Sequence, residues 1–485
     1  YELREQGMHV TDINPISALA DIIGEQIASG DLSSERLGLF LDHYAVELWQ
    51  QRVENLRTQT GLDDMIPQLP DITSRDITRP LYSAVFTAHP VFALKPEVSA
   101  AMCHHAVAKA GVVPHDAFAP RQSVTLDDEH GEAMAALKHA RAAINEINAD
   151  ILRQLRSADP DGWRKTLPAM INVSTWVGYD LDGRSDISWT DSFRLRLREK
   201  YMALRGYERA VRDSKIDMLS TVADRLAVGC ATTSQHLKAF EAVESGKAEF
   251  DTVMNALTED PDRLVSSHAL AKEIHQIAQD IPDEEDALTA LVISADISTH
   301  GFGMGEVHLR INAVQLRNAM RPVDGRTISV SDGVSSPRLL IERLALRIRK
   351  ESAWDISFAS LDGETATARR QLMLATQFLK HIDSDQPVRL LIAECEKPLT
   401  IMSALYLAHK FGITGMIDIS PLFETSYGLE HGEKIVDQLL QQPVFIDYLR
   451  QRGRLSIQTG FSDAGRFVGQ VAANMAIERL QLKIL

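Results

Sequence analysis

The chain has 485 residues, 45% hydrophobic and 24% charged, an ordinary globular composition with ample length for a large core. Its net charge of -16 disfavours broad binding to nucleic acid or anionic membranes, while leaving room for a local basic pocket. The three cysteines, Cys103, Cys230 and Cys395, show neither metal-type spacing nor an even disulfide framework, and no apolar run is long enough to span a bilayer, so a reduced, cytoplasmic setting is expected. The opening YELREQG has no initiator methionine and no signal-type stretch, so a start that is trimmed or unobserved is expected.

Residues 1–80 read as an N-terminal helical region. Asn14-Pro15 is a cap followed by a first-turn proline, and Ile16, Leu19, Ile23 and Ile27 then keep helical spacing. Pro67, Pro70 and Pro80 break the pattern. From residue 81 onward short apolar runs alternate with helical segments. The first strand is expected over 83–91, with His89 at its C-terminal end, and residues 97–165 are mostly helical. A second strand over 170–178 runs into the acid-rich turn Asp180-Leu181-Asp182-Gly183-Arg184. A long helical stretch follows over 189–298. In it Phe193, Leu197, Tyr201 and Leu204 form one stripe, and Arg194, Arg196, Arg198 and Lys200 read as a solvated face. The paired His104-His105 and the scattered histidines read as packing or surface groups. Further strands are expected over 307–313, 355–361, 388–394, 416–423 and 455–461, each followed by a helix.

The last two runs each end in a carboxylate, Glu424 and Asp463, with a helix-like segment between them. Parallel strands joined in this way place their C-terminal ends on one face, so the two acids should converge. Converging carboxylates suit a hard divalent cation such as Mg2+ or Mn2+; solvated loop acids, or acids in a helix first turn, are the plain alternative. The alternation predicts an α/β, predominantly helical chain. It is compatible with a (β/α)8 TIM-type barrel, over 81–485, carrying large helical insertions at about 97–165 and 189–298. Such a barrel keeps its chemistry at the C-terminal strand ends, where His89, Asp180, Asp182, Glu394, Glu424 and Asp463 all fall. An eighth strand is not evident before Leu485: either the fold is open or, the preferred expectation, the polypeptide continues beyond it.

Four ordered motifs resemble those of phosphoenolpyruvate carboxylase, over nearly the whole chain from Phe86 onward. FTAHP at 86–90 resembles FTAHPT, and WVGYDLDGRSDIS at 176–188 resembles WxGGDRDGNPxVT. PLFET at 421–425 is identical to a family motif, and GFSDAGRFVG at 460–469 resembles GYSDSxKDxG. The resemblance implies a mostly helical protein around a (β/α)8 barrel, a homo-oligomer (dimer or tetramer), with Mg2+ or Mn2+ held by Glu424 and Asp463. It places His89 near the transferred carboxyl group. The implied reaction converts phosphoenolpyruvate and bicarbonate to oxaloacetate and phosphate, through carboxyphosphate and the pyruvate enolate. Arg317 and Arg466 are then expected to act with His89, and Arg184, Asp180, Asp182 and Asn312 to face the substrate; neither nucleic acid nor membrane is an expected partner.

The departures concern charge. Leu181 stands for an arginine, and LRINAVQLR at 309–317 replaces LDIRQES-x-R, so that Asn312 falls on a phosphate-contacting arginine while Arg317 is kept. Arg466 and Phe467 replace Lys-Asp, and the family's glycine- and arginine-rich loop would lie beyond Leu485. An arginine that binds phosphate through two parallel hydrogen bonds is not exchanged for asparagine or leucine without large cost. Three outcomes follow: a carboxylase that rebuilds its phosphate site from Arg184, Arg317, Arg321 and Arg466; a lyase acting on another 2-oxo acid or dicarboxylate through a metal-stabilised enolate; or a non-catalytic scaffold or regulatory relative.

Overall fold

The computed structural model describes residues 15–60, 77–87, 124–181, 187–244, 246–321 and 336–485. Two compact units divide the chain, one of residues 1–70 and 89–128, the other of 71–88 and 129–485. In the first, Pro15–Ser29 and Ser34–Thr60 are helices, and Pro15 opens the first of them as the sequence predicts. The second is α/β, predominantly helical, and is built on one curled parallel sheet of six strands, a half-barrel. No described helix is long and apolar enough to cross a membrane.

The strands are β1 (Tyr82–Phe86), β2 (Ile171–Thr175), β3 (Glu306–Asn312), β4 (Val388–Ala393), β5 (Ile417–Phe423) and β6 (Gln458–Thr459), and they lie in the sheet in chain order. Every pairing is parallel, so all C-terminal strand ends share one edge. In the centre, His308, Arg389 and Asp418 form one cross-strand row, and Arg310, Leu391 and Ser420 the next.

Each central strand divides its side chains between two faces. Leu309, Ile311, Leu390, Ile392, Ile419 and Phe423 enter the main apolar core. Helices Thr367–His381 and Pro398–Lys410 supply the other half of that core, being buried along most of their length. The alternate positions, including Glu306, His308, Arg310, Arg389, Asp418 and Ser420, turn to the concave face. At its N-terminal end this face is charged. Asp418 accepts from Arg452 Nε at 2.8 Å and Arg454 Nε at 3.0 Å, and Arg389 lies 4.0 Å from Glu306.

Pro421 inside β5 has a local explanation. Leu422 O accepts from Cys395 N and Phe423 O from Gly460 N, so the backbone of Pro421 turns toward β6. The paired part of β6 begins only at Gln458, opposite Leu422, so the missing proline N–H interrupts no ladder bond.

Three expectations are corrected. Residues 355–361 form no strand: Ser357 caps a short helix, Phe358–Asp362, whose Phe358 and Leu361 are buried. The expected strand 455–461 shrinks to Gln458–Thr459, because Phe461 already opens a helix. The basic stripe of Trp189–Ser214 is not solvated. Arg194, Arg196 and Lys200 are buried. Arg196 pairs with Glu199 and donates to Gly305 O at 3.1 Å, Arg194 pairs with Glu244 at 3.2 Å, and Lys200 donates to His381 O at 3.0 Å. Glu199 also meets His130 at 3.0 Å and the Tyr179 hydroxyl at 2.6 Å. Burial raises the Glu199 carboxyl, but the Arg196 charge and the bonds from His130 and Tyr179 outweigh it and bring the group down to about 2.

Candidate active site

Glu424 follows the last residue of β5 and is 7% exposed. Three features of the chain fix it there. Thr425 is the N-cap of helix Ser426–Leu440; its hydroxyl accepts from Gly428 N at 3.0 Å and donates to Glu396 at 2.7 Å. The backbone N–H of Glu394 donates to Glu424 Oε1 at 3.0 Å, and Glu394 adopts a left-handed conformation, φ 54°, to do so. On the other side Gly460 packs directly on Glu424: a Cβ there would stand 2.5 Å from Glu424 Cβ, so no other residue fits.

The second oxygen of Glu424 faces a cation. Arg310 Nη2 lies 3.7 Å from Glu424 Oε2, and Arg310 Nη1 lies 3.6 Å from Asp180 Oδ2. Asp180 is held by a parallel bridge to Arg310, and Leu181 N donates to Arg310 O at 3.2 Å. One guanidinium thus sits between two carboxylates at the C-terminal edge of the sheet.

A cavity of about 590 Å³ lies alongside. Glu394, Glu396, Lys397 and Thr425 contribute to its wall, and Arg317 and Arg321 enter from the segment after β3. Leu316, Met320, Leu340, Leu344 and Leu399 complete an apolar side. Three cations and two acids on an apolar wall can receive a small organic anion. Burial pushes the Cys395 thiol up to about 12, so it is no thiolate nucleophile.

A family model described as Phosphoenolpyruvate carboxylase matches residues 364–485. Among curated proteins, the chain is 23% identical to the phosphoenolpyruvate carboxylase of Corynebacterium glutamicum over 237 residues, 46% of this chain and 25% of that protein. It is 34% identical to that of Xanthomonas campestris pv. campestris over 91 residues, 18% of this chain and 10% of the relative. With that of Thermus thermophilus it shares 30% identity over 89 residues, 17% of this chain and 10% of the relative. These matches support the resemblance to phosphoenolpyruvate carboxylase, at low identity and over part of the chain. They span a tenth to a quarter of the length of these relatives.

Against the phosphoenolpyruvate carboxylase motifs, the sequence-predicted residues separate into groups. Glu424 and Asp180 come together, joined by Arg310. Arg317 and Arg321 line the neighbouring cavity. Asn312 takes no arginine-like role: its side chain caps helix Ala313–Ala319, accepting from Gln315 N at 2.8 Å, while Gln315 reaches back to Asn312 N at 3.0 Å. Leu181 is 6% exposed and packs inward, and its carbonyl accepts from Gln315 at 3.1 Å. Asp463 and Arg466 belong to helix Phe461–Val468, which starts directly after Gly460, but their side chains lie outside what is described. His89, Asp182 and Arg184 lie outside the described residues.

Enzymes of this family generally depend on a divalent metal. The described donors around Glu424 do not fit one. Both Glu424 oxygens are engaged, one by the Glu394 N–H and one by a guanidinium, and the second carboxylate, Asp180, faces the same guanidinium. Among the described residues no group of three or more histidines, cysteines or acids is placed to hold a metal ion. Arg310 is the residue that sequence reasoning missed. Its signal is in LRINAVQLR: aligned with LDIRQES-x-R, Arg310 stands where that motif has aspartate, a charge reversal two residues before Asn312.

Proposed function

We propose that this chain is a carboxy-lyase of the phosphoenolpyruvate carboxylase type, acting at the C-terminal edge of its sheet. The observation that carries this reading is the PLFET carboxylate Glu424, fixed beside Arg310 and next to a cavity lined by Arg317, Arg321 and Lys397. In this reading phosphoenolpyruvate and bicarbonate give carboxyphosphate and the pyruvate enolate; carboxyphosphate then splits into CO2 and phosphate, and the enolate captures that CO2 to form oxaloacetate. His89, Arg317 and Arg466 act on the moving groups, with Arg184, Asp180 and Asp182 facing the substrate. The cavity cations hold the phosphoryl charge, which a fixed guanidinium does without reorganisation. Mg2+ or Mn2+ at Glu424 and Asp463 belongs to the family form of this reading, and it requires Arg310 to leave Glu424. A cytoplasmic homo-oligomer is part of the same reading. Protein containing this chain, supplied with phosphoenolpyruvate and bicarbonate with and without Mg2+, should release phosphate and form oxaloacetate. No turnover at high substrate rejects the proposal.

A second reading is favoured by the same guanidinium and by the capping role of Asn312, which removes one phosphate ligand from the family pattern. Here the substrate is an unphosphorylated 2-oxo acid or dicarboxylate whose enolate forms beside Arg310. Turnover of oxaloacetate or a related acid, with none of phosphoenolpyruvate, distinguishes it.

A further inference from the structure

We propose that Arg310 is the resident cation of the strand-end site, occupying the position from which Glu424 would otherwise bind a divalent ion. Three observations place it there by construction. Arg310 lies within β3, paired with Leu391 of β4 and, beyond it, in register with Ser420 of β5, so its Cα is fixed by the ladder on that side. Asp180 is added to the edge of that ladder by its own bridge to Arg310. The guanidinium then spans the two carboxylates almost symmetrically, 3.6 Å from Asp180 and 3.7 Å from Glu424.

The consequence is electrostatic. Arginine is always protonated and cannot release its charge to admit a metal, as a histidine could. Its side chain is 21% exposed and Glu424's only 7%, so screening by solvent is weak. A divalent ion entering between Glu424 and Asp180 would meet a fixed positive charge at contact range, and Glu424 would have to abandon that partner while still accepting the Glu394 N–H. Arg310 offsets one of the two carboxylates and meets both of them. The class of ligand follows: a small carboxylate-bearing anion held by the neighbouring cavity cations Arg317, Arg321 and Lys397, with affinity independent of divalent metal. This deepens the reading above by naming what replaces the metal, and its test does not depend on turnover.

The test is Mn2+ binding to the full chain, followed by electron paramagnetic resonance and by calorimetry. The wild-type protein should show no saturable site at millimolar Mn2+. The Arg310→Gln variant, which leaves Asp180 and Glu424 without their shared cation, should gain one site at least ten-fold tighter, lost again in the Arg310→Gln/Glu424→Gln double variant. Arg310→Lys keeps a charge at the same strand position and should behave as wild type. Should Arg310→Gln fail to fold, Mn2+ present during refolding should restore it, and no recovery overturns the proposal. A single tight site in the wild type that Glu424→Gln abolishes overturns it, as does a folded Arg310→Gln protein that gains no Mn2+. Oxalate binding to the wild type, unchanged by a chelator, is the expected companion result; chelator-sensitive oxalate binding overturns it.

Discussion

Glu394 is one of two described non-glycine residues with positive φ, at 54°, and its backbone N–H is what holds Glu424. An L-residue in this region costs roughly 1–2 kcal/mol. The strain persists because the turn after β4 must aim one N–H at a carboxylate and also send the Glu394 side chain to the cavity wall. Glu394→Gly should therefore raise stability by about 1 kcal/mol, since glycine adopts this conformation freely. Chemical denaturation measures it, and a loss of stability would show that side-chain contacts of Glu394 outweigh its backbone cost. At this scale Glu424, Asp180, Arg317 and Arg321 were legible and Arg310 was not. Glu424 could be found because a carboxylate after an apolar run at a parallel strand end has a predictable place. Arg310 could not, because a charge inside a strand looks the same whether it is solvated or faces a buried acid. Arg196 was misread for the same reason: its Glu199 partner is three residues away, but the carbonyl of Gly305 and the pocket that buries both come from far along the chain.

Asn312 ends β3 and starts a helix at the same residue, and that double duty accounts for its identity. Its side chain and that of Gln315 form a reciprocal cap, satisfying two backbone N–H groups at the turn from strand to helix. Asn312→Ala should cost about 1 kcal/mol, and Asn312→Asp should retain most of the stability. If Asn312→Ala leaves the unfolding midpoint untouched while weakening anion binding, the capping account is wrong. Element existence was legible wherever a strand was long and flanked by clear breaks, as in β3, β4 and β5. The failures share a cause. Over 355–361 the apolar residues do alternate at Ile356 and Phe358, but Ser357 bonds the Ser360 N–H and turns the chain helical, so Leu361 reaches the core off a helix. In β6 only Gln458 and Thr459 pair, because Gly460 must stop short against Glu424.

The whole half-barrel carries its charge inside. The outer faces of β3, β4 and β5 are apolar and packed by helices, while the concave face holds ionisable groups along its length, a division that no single strand reveals because both faces are buried. That arrangement has a pH signature. Burial, with the Arg389 charge adding to it, lowers His308 to about 3 from its ordinary 6.5; Asp418 pulls only weakly the other way. Burial lowers His381 to about 3 as well, with Arg263, Lys380 and Lys200 adding to it. For both, the unfolded chain binds a proton between these values and the folded chain does not, so stability falls as pH drops from 6.5 toward 3. Glu199 works in the same direction lower down, its contribution present above 4.5 and lost as pH falls toward about 2. Lys200, lowered by burial to about 7 from 10.5, adds a gain in stability as pH rises through that interval. Glu306 and Asp383, both raised by burial, oppose this by losing stability as pH climbs above the ordinary carboxylate range. Two histidines with large displacements outweigh two acids whose neighbours include compensating arginines or backbone donors, so the net slope is acid-labile. Urea midpoints at about pH 7 and about pH 4 should differ clearly for the wild type, and His308→Gln should narrow that difference by removing one of the protons taken up on unfolding. An equal drop in both proteins would mean that His308 is already protonated in the folded state, and so that the concave face holds an uncounted acid or water beside it.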